Sequence, residues 1–171
     1  QLSMIQERKP LISQTAILAE VETQVPLFVY GTLKRDHALQ ELYAPNSFLF
    51  KGITAESTWW LTNVGATSDT LSYPVAHPRF VQGYRIEGEV LSVSIEQWVE
   101  IEAMEKRAGF MRKLIGIIPY NENDQEYLYD QEVPCVCYAW DISPHLKNIN
   151  ARFIIKDDFK QHIRWENPQN A

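Results

Sequence analysis

From Val25 to Tyr30 the chain runs without a charge, and after Gly31-Thr32-Leu33 it gives way to Lys34-Arg35-Asp36. An unbroken apolar run of that length suits a strand buried on both faces, so residues 26–30 are predicted as the first strand. Residues 34–43 read as a turn or short helix with Ala38, Leu39 and Leu42 on its apolar side. Between 46 and 75, short apolar runs alternate with Gly, Asn, Ser and Thr, the pattern of strands joined by loops. Residues 84–93 place Ile86 and Val90 opposite Glu87 and Glu89, and Leu91 and Val93 then change phase. That break predicts a bulge or a strand buried on both faces. Leu114 to Ile118 is predicted as a strand ended by Pro119, residues 119–132 as an acidic hairpin excursion, and Cys135 to Trp140 as a central buried strand. The tail spaces Ile155, Phe159 and Ile163 four apart, which predicts an amphipathic helix. Ile12, Ala16, Ile17 and Val21 give residues 1–24 a weaker helical pattern.

One helix carries chemistry. Ser94 followed by Gln97 is a capping box, and winding residues 95–105 puts Ile95, Trp98, Val99 and Ile101 on one stripe. Glu96, Gln97, Glu100 and Ala103 face away, while Glu102 and Glu105 fall inside the apolar stripe. A carboxylate held there loses hydration, which raises its pKa and poises it to take up and return a proton near neutrality. The other reading is that the helix ends early and these carboxylates turn to solvent or pair with Lys106, Arg107 or Arg112.

Composition narrows the class. The chain has 171 residues, 45% hydrophobic and 22% charged, enough for one globular domain with a sizeable core. The net charge is −6, with no long run of Lys or Arg, which argues against a phosphate-tracking surface and hence against nucleic acid. No apolar run approaches a membrane span, and the start lacks the basic-then-apolar order of a secretory leader. Cys135 and Cys137 are the only cysteines, too close to bridge well and without further ligands at zinc spacing. They read as buried thiols of a reducing compartment, so a cytoplasmic location is expected.

Gly31 admits two readings, an ordinary turn or a main-chain cradle. Without a Cβ it lets a ligand approach the backbone, and consecutive amides at such a strand end can form a nest for a carboxylate. Several segments then fall into a familiar order. Phe28-Val29-Tyr30-Gly31-Thr32-Leu33-Lys34 opens it, followed by Tyr73-Pro74-Val75. Val81-Gln82-Gly83 through Gly88-Glu89-Val90-Leu91 comes next, then Ile101-Glu102-Ala103-Met104-Glu105 with Phe110-Met111-Arg112, and finally Val136-Cys137-Tyr138. Over residues 26 to 141 this series resembles the gamma-glutamylcyclotransferase-like family.

The resemblance implies an α+β fold, a mixed barrel-like β-sheet with flanking helices and one pocket. It divides the chain into an N-terminal extension (1–24), the gamma-glutamylcyclotransferase-like domain (25–142) and a C-terminal segment (143–171) whose amphipathic helix packs on the domain. It also implies a cofactor-independent enzyme that cyclises a gamma-glutamyl compound to 5-oxoproline and releases an amine or amino acid. Glu105 would be the general acid/base, and Tyr30, Gly31, Thr32 and Leu33 would bind substrate, with no metal. Three departures stand out: Glu102 replaces an aspartate, Phe110 replaces a tyrosine, and the stretch from Glu105 to Arg112 is one residue short. The alternative is a catalytically silent small-molecule binding or protein-interaction module on the same fold, the terminal segments offering a surface for a protein partner. The leaving amine is not specified by any motif.

Overall fold

The computed structural model describes residues 24–35, 37–64, 73–79, 83–141, 153–156 and 162–165; the helical pattern expected in residues 1–24 lies, but for Gln24, outside them. In chain order the elements are β1 (Gln24–Val29), α1 (Ala38–Tyr43), β2 (Phe48–Thr54), β3 (Trp59–Val64), β4 (Tyr73–Pro78), β5 (Arg85–Ser94) and α2 (Ile95–Arg107). After these come β6 (Met111–Asn121), β7 (Glu126–Tyr127), β8 (Val133–Ala139), β9 (Phe153–Lys156) and β10 (His162–Trp165). Strands β5, β1, β8, β6 and β2 are neighbours in that order, and β2 pairs again with β5, which closes a barrel. The β1–β8 pair is parallel, and the other barrel pairs are antiparallel. β3 and β4 form a separate antiparallel ribbon. This is the mixed, barrel-like α+β architecture that the resemblance implies.

The strands that read as apolar throughout do serve two cores. Phe28, Cys135, Cys137, Ile86 and Val90 belong to one cluster, while Leu27, Val29, Tyr138, Leu91 and Val93 belong to the other, which α2 joins through Ile101. The phase change at Val90–Leu91 is the point where β5 switches from one core to the other, and its register against β2 shifts between Phe48 and Phe50. The extra residue is Leu49 of β2, and β5 keeps unbroken register with β1, so of the two predicted alternatives β5 shows the strand that serves both faces.

Four expectations are corrected. Among the described residues the tail is strand where a helix is expected: Phe153–Lys156 and His162–Trp165 are antiparallel strands with Ile155 opposite Ile163. β10 also runs parallel to β5 at Arg85 and Ile86, so this segment extends the sheet rather than packing on it. Pro119 does not end its strand. It sits in register with Gly52, and its carbonyl accepts the Leu128 amide at 2.9 Å. In α1, Ala38 and Leu42 are exposed and Gln40 is buried, its Nε2 donating to the Leu33 carbonyl at 2.7 Å. In α2, Ile95 and Val99 are exposed, while Ile101 is buried and Trp98 and Glu105 are partly buried. No helix among the described residues is long and apolar enough to cross a membrane.

Candidate functional site

A cavity of about 310 Å³ opens between the end of β1, the start of β4 and the last turns of α2. Tyr30, Gly31, Thr32 and Leu33 line it from one side and Glu105 from another, so the five residues singled out in the sequence share one space. Tyr73, Pro74, Met104 and Phe110 complete much of the wall.

The loop after β1 is a pair of tight turns, with the Lys34 amide donating to the Gly31 carbonyl and the His37 amide to the Lys34 carbonyl, both at 3.0 Å. The amides of Gly31, Thr32 and Leu33 donate to no main-chain carbonyl outside the strand ladders among the described residues. Glycine is required here for a packing reason as well: a Cβ on Gly31 would lie 2.5 Å from Cγ of Pro74, so the missing side chain admits β4. Tyr30 is fixed by two bonds, its hydroxyl donating to the Tyr138 carbonyl at 2.7 Å and accepting the Ala76 amide at 3.0 Å. It is thus a core aromatic and a cavity wall at once, and burial holds its pKa well above the usual phenol value.

α2 delivers the carboxylates. The predicted capping box is present, with Ser94 Oγ accepting the Gln97 amide and Gln97 Oε1 accepting the Ser94 amide. The helix ends just beyond Glu105. Gly109 adopts φ +89°, a left-handed conformation that glycine takes without a Cβ clash, and the Phe110 amide returns to the Glu105 carbonyl at 3.0 Å. That tight reversal accommodates the short stretch before Arg112 while keeping Glu105 in the cavity.

The two glutamates part company. Glu102 accepts the Tyr138 hydroxyl at 2.7 Å, while Arg112 and Lys106 lie 3.2 and 3.4 Å from it. The Tyr138 bond, followed by these cations, lowers its pKa. Glu105 has no ion pair among the described residues, and burial pushes its carboxyl up to about 7. Of the two sequence readings, pairing with Arg112 and Lys106 applies to Glu102 and desolvation to Glu105. A carboxyl titrating near neutrality beside a row of amides can exchange a proton with an anion-bearing guest.

Sequence reasoning left two contributors without roles. Tyr73, whose pKa is raised by burial and by Glu105, packs its ring 6.0 Å from that of Phe110. Tyr138 braces α2 from β8, also accepting Trp98 Nε1 at 2.7 Å. Both lay in quoted segments, but a strand tyrosine carries no signal of its partner. Among the described residues no three His, Cys, Asp or Glu side chains gather as a metal site would require, and both cysteines are buried free thiols.

Comparison with known proteins adds a family and a fold. The family model described as "Gamma-glutamyl cyclotransferase, AIG2-like" matches residues 27–160. A crystal structure of an AIG2-like protein from Mus musculus is similar at 20% identity and TM-score 0.53, covering 68% of this chain and 77% of that one. A solution structure from Arabidopsis thaliana is similar at 18% identity and TM-score 0.51, covering 69% of each chain. No curated protein matches the chain.

Proposed function

The chain belongs to the gamma-glutamyl cyclotransferase, AIG2-like family, and from that premise we propose that it cyclises a gamma-glutamyl compound to 5-oxoproline with release of an amine. The observation that carries this reading is one cavity lined both by Glu105, whose carboxyl burial pushes up to about 7, and by the loop of Gly31, Thr32 and Leu33. Ring closure is intramolecular, so the protein has to hold the folded conformer and move protons.

The amides of Gly31, Thr32 and Leu33 hold the α-carboxylate, placing the α-ammonium toward Glu105. Ionised Glu105 takes one ammonium proton and frees the nitrogen lone pair. That nitrogen attacks the γ-carbonyl carbon, forming the lactam C–N bond. Glu105 returns its proton to the amide nitrogen as the old C–N bond breaks. The second proton shed by the ring nitrogen leaves with the released amine as its ammonium. Substrate atoms equal product atoms, and no water is consumed.

The test is incubation with gamma-glutamyl amines, amino acids and glutathione in heavy-oxygen water, with products read by mass spectrometry. Unlabelled 5-oxoproline equimolar with released amine is expected. Labelled glutamate, or no product from folded protein across the panel, would overturn the reading.

A further inference from the structure

Away from the cavity, α2 covers only part of the sheet face that it crosses. Its Trp98 donates to the Tyr138 hydroxyl of β8 at 2.7 Å. Arg112 of β6 reaches the flank of the helix, its Nε 3.2 Å from Glu102 and its guanidinium 5.3 Å from the centre of the Trp98 ring. Strand alternation puts Leu114 on the same face of β6 as Arg112, opposite Val136 of β8, yet Leu114 is 75% exposed. On the helix, Val99 stands one turn from both Ile95 and Glu102. Glu102 is the residue that Arg112 holds, so Ile95 and Val99 lie on the flank of α2 toward β6, and both are exposed. Ile95, Val99, Leu114 and half-buried Val136 therefore line an apolar groove between the first turns of α2 and the β6–β8 floor. Contiguous apolar surface with a charged rim, here Glu102, Lys106 and Arg112, marks a docking site.

The point where the chain enters the barrel says what docks there. β1 starts at Gln24, which is in register with Ser94, the cap of α2, so the polypeptide preceding β1 arrives beside Ile95. That polypeptide holds Leu11 to Ala19, nine residues without a charge that include Leu11, Ile12, Ile17 and Leu18, joined to β1 through residues 20–23. Four linking residues span up to about 13 Å, while Ile95 and Val99 are separated by only about 6 Å along the helix axis. A segment tethered so closely meets the groove at an effective concentration on the order of millimolar, which a second copy of the chain does not reach.

We propose that residues 11–19 dock in the groove lined by Ile95, Val99, Leu114 and Val136, strapping α2 to the β6–β8 side of the barrel. The test uses the full chain throughout. Ile17→Cys or Leu18→Cys is combined with Leu114→Cys, or with Leu42→Cys on α1, which is 71% exposed and outside the groove. Each pair is oxidised at micromolar concentration and its disulfides are mapped by mass spectrometry without reduction; Cys135 and Cys137 are buried, and the parent reports any background from them.

An intramolecular link from position 17 or 18 to position 114 is expected, at least about tenfold above any link to position 42. Equal yields at 114 and 42, or no link to 114, would overturn the proposal, and links between the 114 positions of two chains would give the groove to a second copy instead. A melting cycle checks the contact without cysteines. Leu114→Asp should lower the melting temperature by about 3 °C more in the parent than in the Ile17→Asp/Leu18→Asp background, because residues in contact are not additive. Equal shifts in the two backgrounds would also overturn the docking.

Discussion

Glu102 and Glu105 stand three residues apart on one helix and have opposite electrostatic fates. Periodicity placed both on the inward stripe, which was legible. Their separation was not, because the groups that decide it, Tyr138 and Arg112, belong to other strands. The difference has a thermodynamic consequence. The folded-state pKa of Glu105 is raised to about 7 from an ordinary 4.5, so the native state holds this proton more tightly than the unfolded chain. Its contribution to stability is therefore full below pH 4.5 and is lost as pH rises through about 7, with a slope of at most about 1.4 kcal/mol per pH unit. Glu105→Gln removes that loss, so thermal melts should show the variant gaining on the parent between pH 5 and pH 8. A variant that melts lower at pH 8 than at pH 5, relative to the parent, would show that the carboxyl is not desolvated. Gly31→Ala is expected to destabilise by about 1–3 kcal/mol, as overpacking does, since its Cβ would overlap Pro74. Denaturant titration measures this, and a change within error would mean that Pro74 yields freely.

At the level of elements, α2 is held at three points, the Ser94 cap, the Tyr138 brace and the Gly109 reversal. Tyr138→Phe leaves Trp98 Nε1 and one oxygen of Glu102 without the hydroxyl between them. A loss of about 1–3 kcal/mol is expected, with a smaller effect on turnover than Glu105→Gln, because the brace acts on the helix and not on substrate. Urea unfolding together with the activity assay separates the two effects. The capping box was readable because it is local, and the two-core strands because a run apolar on both faces has few other uses. The tail was misread for the converse reason. Spacing by four fits a helix, yet Ile154, Ile155, Ile163 and Trp165 are residues that favour strands, and the pairing that decides the matter joins residues 153–156 to 162–165. Pro119 has the look of a terminator because the sequence does not show which strand positions need an amide donor.

Across the whole molecule, the tail and the pocket loop prove to be connected. Trp165 is fully buried in one core, its Nε1 donates to Asn63 Oδ1 at 2.9 Å, and its carbonyl receives Lys34 Nζ from the loop that lines the cavity. Trp165→Ala should cost about 3–5 kcal/mol, as expected for an excised core aromatic, and calorimetric melting would register it. A loss below 1 kcal/mol would mean that the tail only decorates the barrel. The ordered segments from residue 26 to 141 made the barrel and the Glu105 cavity legible, but they stop short of this strand. Its place beside β5 depends on contacts between distant parts of the chain, which no local pattern records.

The most direct measurement is the pH dependence of 5-oxoproline release by the parent and by Glu105→Gln on one turned-over gamma-glutamyl amine. Ionised Glu105 must accept the ammonium proton, so kcat/KM of the parent should rise with pH through about 7 and then level. The variant should lose about 10²–10⁴ in rate together with that limb. A variant that keeps the parent's rate, or the same limb near 7, would contradict the assignment of Glu105 as the proton-transferring group.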